Sequence, residues 1–292
     1  MVRFTVLGSG SSGNCAVIST GRTTLLLDAG LSAKQICLRM QEAGYDPEGL
    51  DGILITHEHQ DHTRGLAVFG AKRRVPLLCT ALTREVLERD AGLRVAPPWQ
   101  VMQTGSRFAF GDLWVESFPV PHDAVDPVGY VIEDAESRLG VLSDVGYVTN
   151  LIRDRLTGAD SLFIEANYCQ HLLEADVKRP WATKQRIASR HGHLSNDQAA
   201  ELISHLAHPR LQHVMLGHLS DDCNRPDTAR QCIQHALLAG GAARARVWCA
   251  ERRRVSPTLE VAFPPDSPQP PAQPEKRAVA RPLAEPQQLG LF

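Results

Sequence analysis

Nowhere does this 292-residue chain approach the ~18 consecutive apolar residues that a membrane-spanning helix needs. Nor is a leader expected. Met1-Val2-Arg3-Phe4-Thr5-Val6-Leu7 reads as a strand running into a glycine-rich turn, not as a charged region followed by an apolar signal segment. Disulfide patterning is missing too: Cys15, Cys37, Cys79, Cys169, Cys223, Cys232 and Cys249 are odd in number, scattered and never spaced Cys-x-x-Cys. The formal net charge is only -2, so nothing attracts the whole chain to polyanions, and any nucleic-acid contact has to come from local basic patches. These absences point to a soluble cytoplasmic protein with no membrane partner.

What is present fits one large α/β domain, since 43% hydrophobic residues over this length can bury a single core. Short apolar runs bounded by turn residues predict strands at 4–7, 16–19, 24–27, 52–55, 77–79, 108–110, 113–118, 129–133, 139–143, 161–165, 213–216 and 246–249. Helical spacing and caps predict helices at 32–43, 61–72, 83–91, 148–156, 170–175, 184–189, 195–205 and 226–238. Strand-rich stretches with intervening helices in both halves predict two sheets flanked by helices. No repeat is visible. Composition changes after about Val261, where Pro264-Pro265-Asp266-Ser267-Pro268-Gln269-Pro270-Pro271 can neither pair as a strand nor continue a helix. The expected division is a catalytic domain over 1–256, a proline-rich disordered tether over 257–287, and a short peptide at 288–292.

The chemistry concentrates where the apolar strand Gly52-Ile53-Leu54-Ile55 runs into Thr56-His57-Glu58-His59-Gln60-Asp61-His62. Three imidazoles and neighbouring carboxylates at the end of a buried strand are costly unless they bind something, and these are the ligand types zinc and manganese prefer. Further along, His122 follows a strand and two prolines, Asp144 ends the run Gly140-Val141-Leu142-Ser143, and His218 ends Val214-Met215-Leu216-Gly217. Asp28, after Leu25-Leu26-Leu27, either supports such a site from behind or caps the helix near Ser32.

The run from His57 to His62 resembles the His-x-His-x-Asp-His motif of the metallo-β-lactamase superfamily. That resemblance implies an αββα four-layer sandwich holding two divalent metal ions, Zn or Mn. It implies that His57, His59 and His122 hold one ion, that Asp61, His62 and His218 hold the other, and that Asp144 bridges them. Two such ions share a hydroxide as nucleophile, with Asp61 orienting it. A carboxylate at 144, where zinc β-lactamases commonly have cysteine, favours phosphoesterases and thioesterases over lactam hydrolysis.

Other motifs narrow the family. Leu7-Gly8-Ser9-Gly10-Ser11-Ser12-Gly13-Asn14 offers backbone N–H groups and hydroxyls for an anion, with Ser11 and Asn14 as candidate substrate contacts. Lys184-Gln185-Arg186-Ile187 and Arg190 lead into His191-Gly192-His193-Leu194-Ser195-Asn196, where His193 can donate to a phosphate or leaving oxygen. Arg186, Arg190, Ser195 and Asn196 are therefore further substrate candidates. With Gly217-His218-Leu219-Ser220, these motifs resemble the YycJ/WalJ-like family. The resemblance implies a compact metallo-hydrolase without the inserted β-CASP domain of ribonuclease J, acting as a 5′-to-3′ DNA exonuclease. Asp221-Asp222-Cys223-Asn224 departs from the acidic Glu-Asn-Asn type of ending expected after the last histidine.

The last residues, Gln288-Leu289-Gly290-Leu291-Phe292, resemble the Gln-Leu-x-Leu-Phe peptide by which bacterial DNA enzymes dock on the replication sliding clamp. Gln288, Leu289, Leu291 and Phe292 at the end of a tether would form a short apolar anchor for a partner pocket. Two other readings stand beside the nuclease: a small-molecule thioesterase or lactonase of the same fold, and a clamp-binding adaptor without catalysis.

Overall fold

Strands whose residues are apolar on both faces need cover on both faces, and the first half of the chain supplies it by folding back on itself. The structure is a computed structural model, and it describes residues 1–93 and 96–261. β1 (Val2–Gly8), β2 (Cys15–Ser19) and β3 (Thr24–Leu27) run antiparallel. Helical crossovers then add parallel neighbours: α1 (Ala33–Glu42) leads to β4 (Gly52–Leu54), α2 (Gln60–Thr63) and α3 (Leu66–Arg73) to β5 (Leu77–Thr80), and α4 (Ala81–Asp90) to β6 (Trp99–Met102).

The second sheet repeats the plan. β7 (Arg107–Phe110), β8 (Leu113–Pro119), β9 (Val128–Glu133) and β10 (Arg138–Leu142) are antiparallel. Next come α5 (Asn150–Leu156), β11 (Ser161–Glu165), α6 (Gln170–Ala175), α7 (Trp181–Ile187), α8 (Asn196–Leu206), β12 (His213–Gly217), α9 (Pro226–Ala239) and β13 (Arg246–Cys249). The strands of this half are parallel from β10 through β13. β14 (Leu259–Val261) returns to pair with β1, so the first sheet reads β14-β1-β2-β3-β4-β5-β6 and the second β13-β12-β11-β10-β9-β8-β7.

Three buried clusters make these pieces four layers. Phe4, Ile18, Leu54, Tyr130, Val141, Phe163 and Met215 interleave between the sheets. Ile36, Met40, Phe69 and Leu87 bind α1, α3 and α4 to the outer face of the first sheet. Ile152, Leu202, Ile233 and Leu237 bind α5, α8 and α9 to the second. The αββα sandwich expected from the sequence is therefore the observed fold. Among the described residues no helix is long and apolar enough to cross a membrane, and all seven cysteines are free.

Two expectations change. The helix expected over 61–72 is broken, because the Gly65 N–H bonds the Ala29 carbonyl (2.7 Å) instead of the Asp61 carbonyl one turn back, which accepts from Asn14 N–H (2.7 Å). The folded domain also runs beyond residue 256: Leu259 and Val261 are buried at the edge of the first sheet, opposite Phe4 and Val2. The proline-rich segment and the terminal peptide lie outside the described residues.

Candidate metal centre

Strand ends deliver the chemistry. Asp28, Asp144 and His218 each lie just beyond a strand, after β3, β10 and β12, and all three adopt the left-handed conformation with φ of 56°, 53° and 51°. A residue with a Cβ pays roughly 1–2 kcal/mol for that backbone, and each of these turns its side chain into a buried polar cluster. The α2 segment is pressed against the loop after β3. A Cβ on Gly30 would stand 1.7 Å from the Asp61 carbonyl oxygen, so only glycine permits this approach.

His57, His59 and His122 form one cluster, each offering a ring nitrogen within 4.8 Å of the others. Their remaining nitrogens are held from outside. His122 Nδ1 donates to the Gly192 carbonyl (3.0 Å), His59 Nε2 to the Asp123 carbonyl (3.2 Å), and His57 Nδ1 sits 3.0 Å from the Thr56 hydroxyl. Such contacts select the tautomer and leave the inward nitrogen free to bind a metal. His57 Nε2 is buried without any hydrogen-bond partner.

The second half centres on Asp144. One oxygen lies 3.0 Å from His62 Nε2 and the other 2.7 Å from His218 Nδ1, and the carboxylate also falls in one cluster with His57 and His62. The His218 contact lacks hydrogen-bond geometry despite its length, as expected of two ligands converging on a common third body. Asp28 lies behind His62: its Oδ2 accepts from His62 Nδ1 at 2.7 Å, and its carboxylate also accepts from the Thr56 N–H and hydroxyl. Asp61 stands at the rim, 3.8 Å from His62 Nε2 and 3.6 Å from His218 Nε2. The other expected ligands all fall within the clusters of potential metal-binding side chains. Orphaned imidazole nitrogens beside buried carboxylates fit a borderline divalent ion of the zinc or manganese kind.

Electrostatics divides the centre. Burial, reinforced by neighbouring imidazoles, pushes His57 and His122 below the ordinary imidazole value of 6.5. Burial opposes protonation of His62 and His218 as well, but there nearby carboxylates overcome it. Asp28 and Asp144 carry His62 well above its usual range, and Asp144 with Glu165 pushes His218 up to about 10. Despite its own burial, Asp144 is held well below the usual carboxylate range by His218 and His62.

Glu165 is the functional residue that sequence reasoning passed over. It ends β11, is fully buried, and accepts from His193 Nδ1 at 2.6 Å and from Val145 N–H at 2.9 Å, with His218 Nδ1 3.4 Å away. The signal was an acid closing the buried run Leu162-Phe163-Ile164, the same pattern that exposed Asp144. Burial lowers the affinity of His193 for a proton, but the Glu165 charge and hydrogen bond raise it above the ordinary value.

The expected substrate contacts divide. Asn14 is buried among the ligands, its Nδ2 3.0 Å from His62 Nε2, while its Oδ1 accepts from Ser9 Oγ and Gly10 N–H. Ser9 Oγ in turn accepts from the His218 N–H at 2.8 Å. Ser11 is exposed on the same loop. Arg186 pairs with Asp123, whose other oxygen lies 3.2 Å from His122 Nε2, and the Arg190 guanidinium stacks on Tyr147 at 4.2 Å. Ser195 and Asn196 make hydrogen bonds within the fold. Ser195 forms a capping box with Gln198 at the start of α8, and the buried Asn196 amide exchanges two 2.9 Å hydrogen bonds with Asn224. That exchange accounts for Asn224 in the unusual ending, and Asp221 and Asp222 pair with Arg252, Lys178 and Arg179.

Comparison with known proteins agrees with this geometry. The family description "Beta-lactamase superfamily domain" matches residues 23–218. The chain is 34% identical over 240 residues to the exodeoxyribonuclease YycJ of Bacillus anthracis, covering 82% of this chain and 90% of that one. It is 37% identical over 237 residues to the exodeoxyribonuclease WalJ of Streptococcus pneumoniae serotype 2, covering 80% and 88%. Among solved structures, the metallo-β-lactamase fold protein YhfI from Bacillus subtilis superposes with a TM-score of 0.65 at 16% identity, covering 87% of this chain and 98% of that one. At that identity the likeness concerns the fold.

Proposed function

The chain belongs to the metallo-β-lactamase superfamily as a YycJ/WalJ-like member, and from that premise we propose that it is a two-metal phosphodiesterase degrading DNA from the 5′ end. That it is a metal-dependent hydrolase follows from the family itself. The observation that supports the two-metal reading is Asp144, which lies in one cluster with His57 of the first trio and in another with His218. DNA as substrate is supported by the relatives named exodeoxyribonucleases, and we propose the bacterial cytoplasm as the place of work.

Two divalent ions bound there would acidify water and neutralise charge on the phosphate. The protein's own groups supply the rest. His193, held in orientation by Glu165 at Nδ1, keeps its Nε2–H for a phosphate or leaving oxygen. Asp61, at the rim between His62 and His218, accepts a hydrogen bond from the attacking water and aligns it. Asp28 and Gly192 keep His62 and His122 from rotating away.

The test is hydrolysis of end-labelled single- and double-stranded DNA, RNA and a thioester, with Mn²⁺, Zn²⁺ or chelator. Metal-dependent release of the 5′ label ahead of internal label, lost in Asp61→Ala, is the expected result. Thioester cleavage without any DNA cleavage would overturn it. For the terminal peptide we propose docking on the bacterial sliding clamp through Gln288, Leu289, Leu291 and Phe292. Deleting residues 288–292 then spares hydrolysis and abolishes clamp binding, and clamp binding that survives the deletion refutes the docking.

A further inference from the structure

Helix α7 buries none of its side chains, so it contributes little to the core, yet it is fastened at both ends. Ahead of it, Arg179 pairs with Asp176 (2.8 Å) and Asp222 (3.0 Å), and Lys178 pairs with Asp222 (2.7 Å). Lys184 Nζ donates to the Glu174 carbonyl at 2.8 Å. At the far end, Arg186 is bound to Asp123, and the His193 N–H donates to the Ile187 carbonyl at 2.9 Å. A Cβ on Gly192 would lie 2.2 Å from the Arg186 carbonyl oxygen, so the end of the helix sits directly on the loop that carries His193. The helix is a braced arm rooted in the metal centre.

Its outer end is unusual in what it leaves in water. Trp181 is 70% exposed and Val177 is 96% exposed. The charged residues of segment 177–190 are Lys178, Arg179, Lys184, Arg186 and Arg190, all basic. Lys178, Arg179 and Arg186 are paired with Asp222, Asp176 and Asp123, but Lys184 and Arg190 have no carboxylate partner among the described residues, and an exposed aromatic ring one helical turn from an uncompensated cation complements an unpaired base and its phosphate. From Ile187, whose carbonyl accepts from the His193 N–H, back to Trp181 the helix rises about 9 Å, which sets the ring away from the catalytic loop. Arg190, laid flat on Tyr147, lies between the helix and His193 in sequence.

We propose that α7 is a single-strand platform. Trp181 stacks on an unpaired base of the strand leading to the scissile phosphate, and Lys184 and Arg190 neutralise its backbone. The proposal rests on the nuclease reading above and adds a strand-separated substrate to it.

The experiment uses the full-length, metal-loaded protein and a short oligothymidylate with phosphorothioate linkages, read by tryptophan fluorescence and by anisotropy of a labelled oligonucleotide. Binding should quench tryptophan emission, and the quench should vanish in Trp181→Phe while affinity is largely kept. Trp181→Ala should weaken single-strand binding about tenfold or more, with an unchanged melting temperature because the side chain is not part of the core. A Trp181→Ala variant that binds the oligonucleotide as the wild type does, or a quench that persists in Trp181→Phe, overturns the platform. So does sedimentation showing a wild-type dimer that Trp181→Ala turns into a monomer without loss of oligonucleotide binding, since a second copy would then own this face. If the wild-type protein neither cuts nor binds any DNA, the nuclease reading itself has failed. If it cuts DNA and Trp181→Ala is indistinguishable, the platform alone has.

Discussion

Loading the two halves of the centre should respond differently to pH. In the metal-free protein His57 and His122 are pushed below 6.5, so at pH 7 they are already neutral and ready to coordinate. His62 and His218 are the opposite case, with His218 pushed up to about 10 by Asp144 and Glu165 against the effect of burial. An ion entering that half has to displace their protons. For His218, a pKa ~3 units above neutrality makes that displacement cost about 4 kcal/mol at pH 7. Each proton released raises metal affinity about tenfold per pH unit. The expected result is one ion whose affinity is nearly flat from pH 7 to 8 and a second whose affinity rises roughly 10- to 100-fold over the same interval. Calorimetric titration with Mn²⁺ or Zn²⁺ in buffers of different ionisation enthalpy counts the protons directly, and equilibrium dialysis gives the affinities. Two ions with the same pH dependence, or a second ion that releases no proton, would refute the division of the centre.

The same groups affect stability once the metal is chelated. Because the folded-state pKa values of His62 and His218 are raised, their contribution is complete below about 6.5 and is lost as pH climbs toward about 10. Thermal melting of chelated protein should therefore fall across that window, and a flat profile counts against those ion pairs. Asp28→Asn replaces the acceptor that holds His62 Nδ1, and should weaken metal affinity about 10- to 100-fold; dialysis against a metal buffer that finds no change removes Asp28 from the centre. Gly30→Ala places a methyl group against the Asp61 carbonyl, with an expected loss of about 3 kcal/mol, read by denaturant unfolding. Asn196→Ala strands the buried Asn224 amide, and should destabilise the fold by about 1–3 kcal/mol while leaving kcat/KM on DNA near the wild-type value. A large fall in kcat/KM with unchanged stability would return Asn196 to the substrate.

Sequence reading succeeded where the chemistry is local. His57, His59 and His62 share one loop, so their spacing alone announced a metal site, and the apolar strands before Asp144 and His218 marked those residues as strand ends. It stops short where a residue's hydrogen-bond partner lies far along the chain. Ser195 and Asn196 adjoin His193, but the partner that Asn196 bonds is Asn224, brought to it by the packing of the loops at the ends of β11 and β12. The break at Gly65 was hidden for the same reason, because its cause is the Ala29 carbonyl.

Composition and pattern thus determined an α/β chain with a histidine- and carboxylate-based candidate metal site, since ligand type and strand periodicity are properties of the residues themselves, and the resemblance of its motifs to a known family added that it is a hydrolase. Only the tertiary structure decided how that site is completed. β10, β11 and β12 lie side by side, at the ~4.8 Å spacing of hydrogen-bonded strands, and this sets Asp144, Glu165 and His218 next to one another at their ends. No one-dimensional spacing encodes which strands are neighbours, so Glu165 meets His193 and Asp144 meets His62 and His218 only when the second sheet pairs.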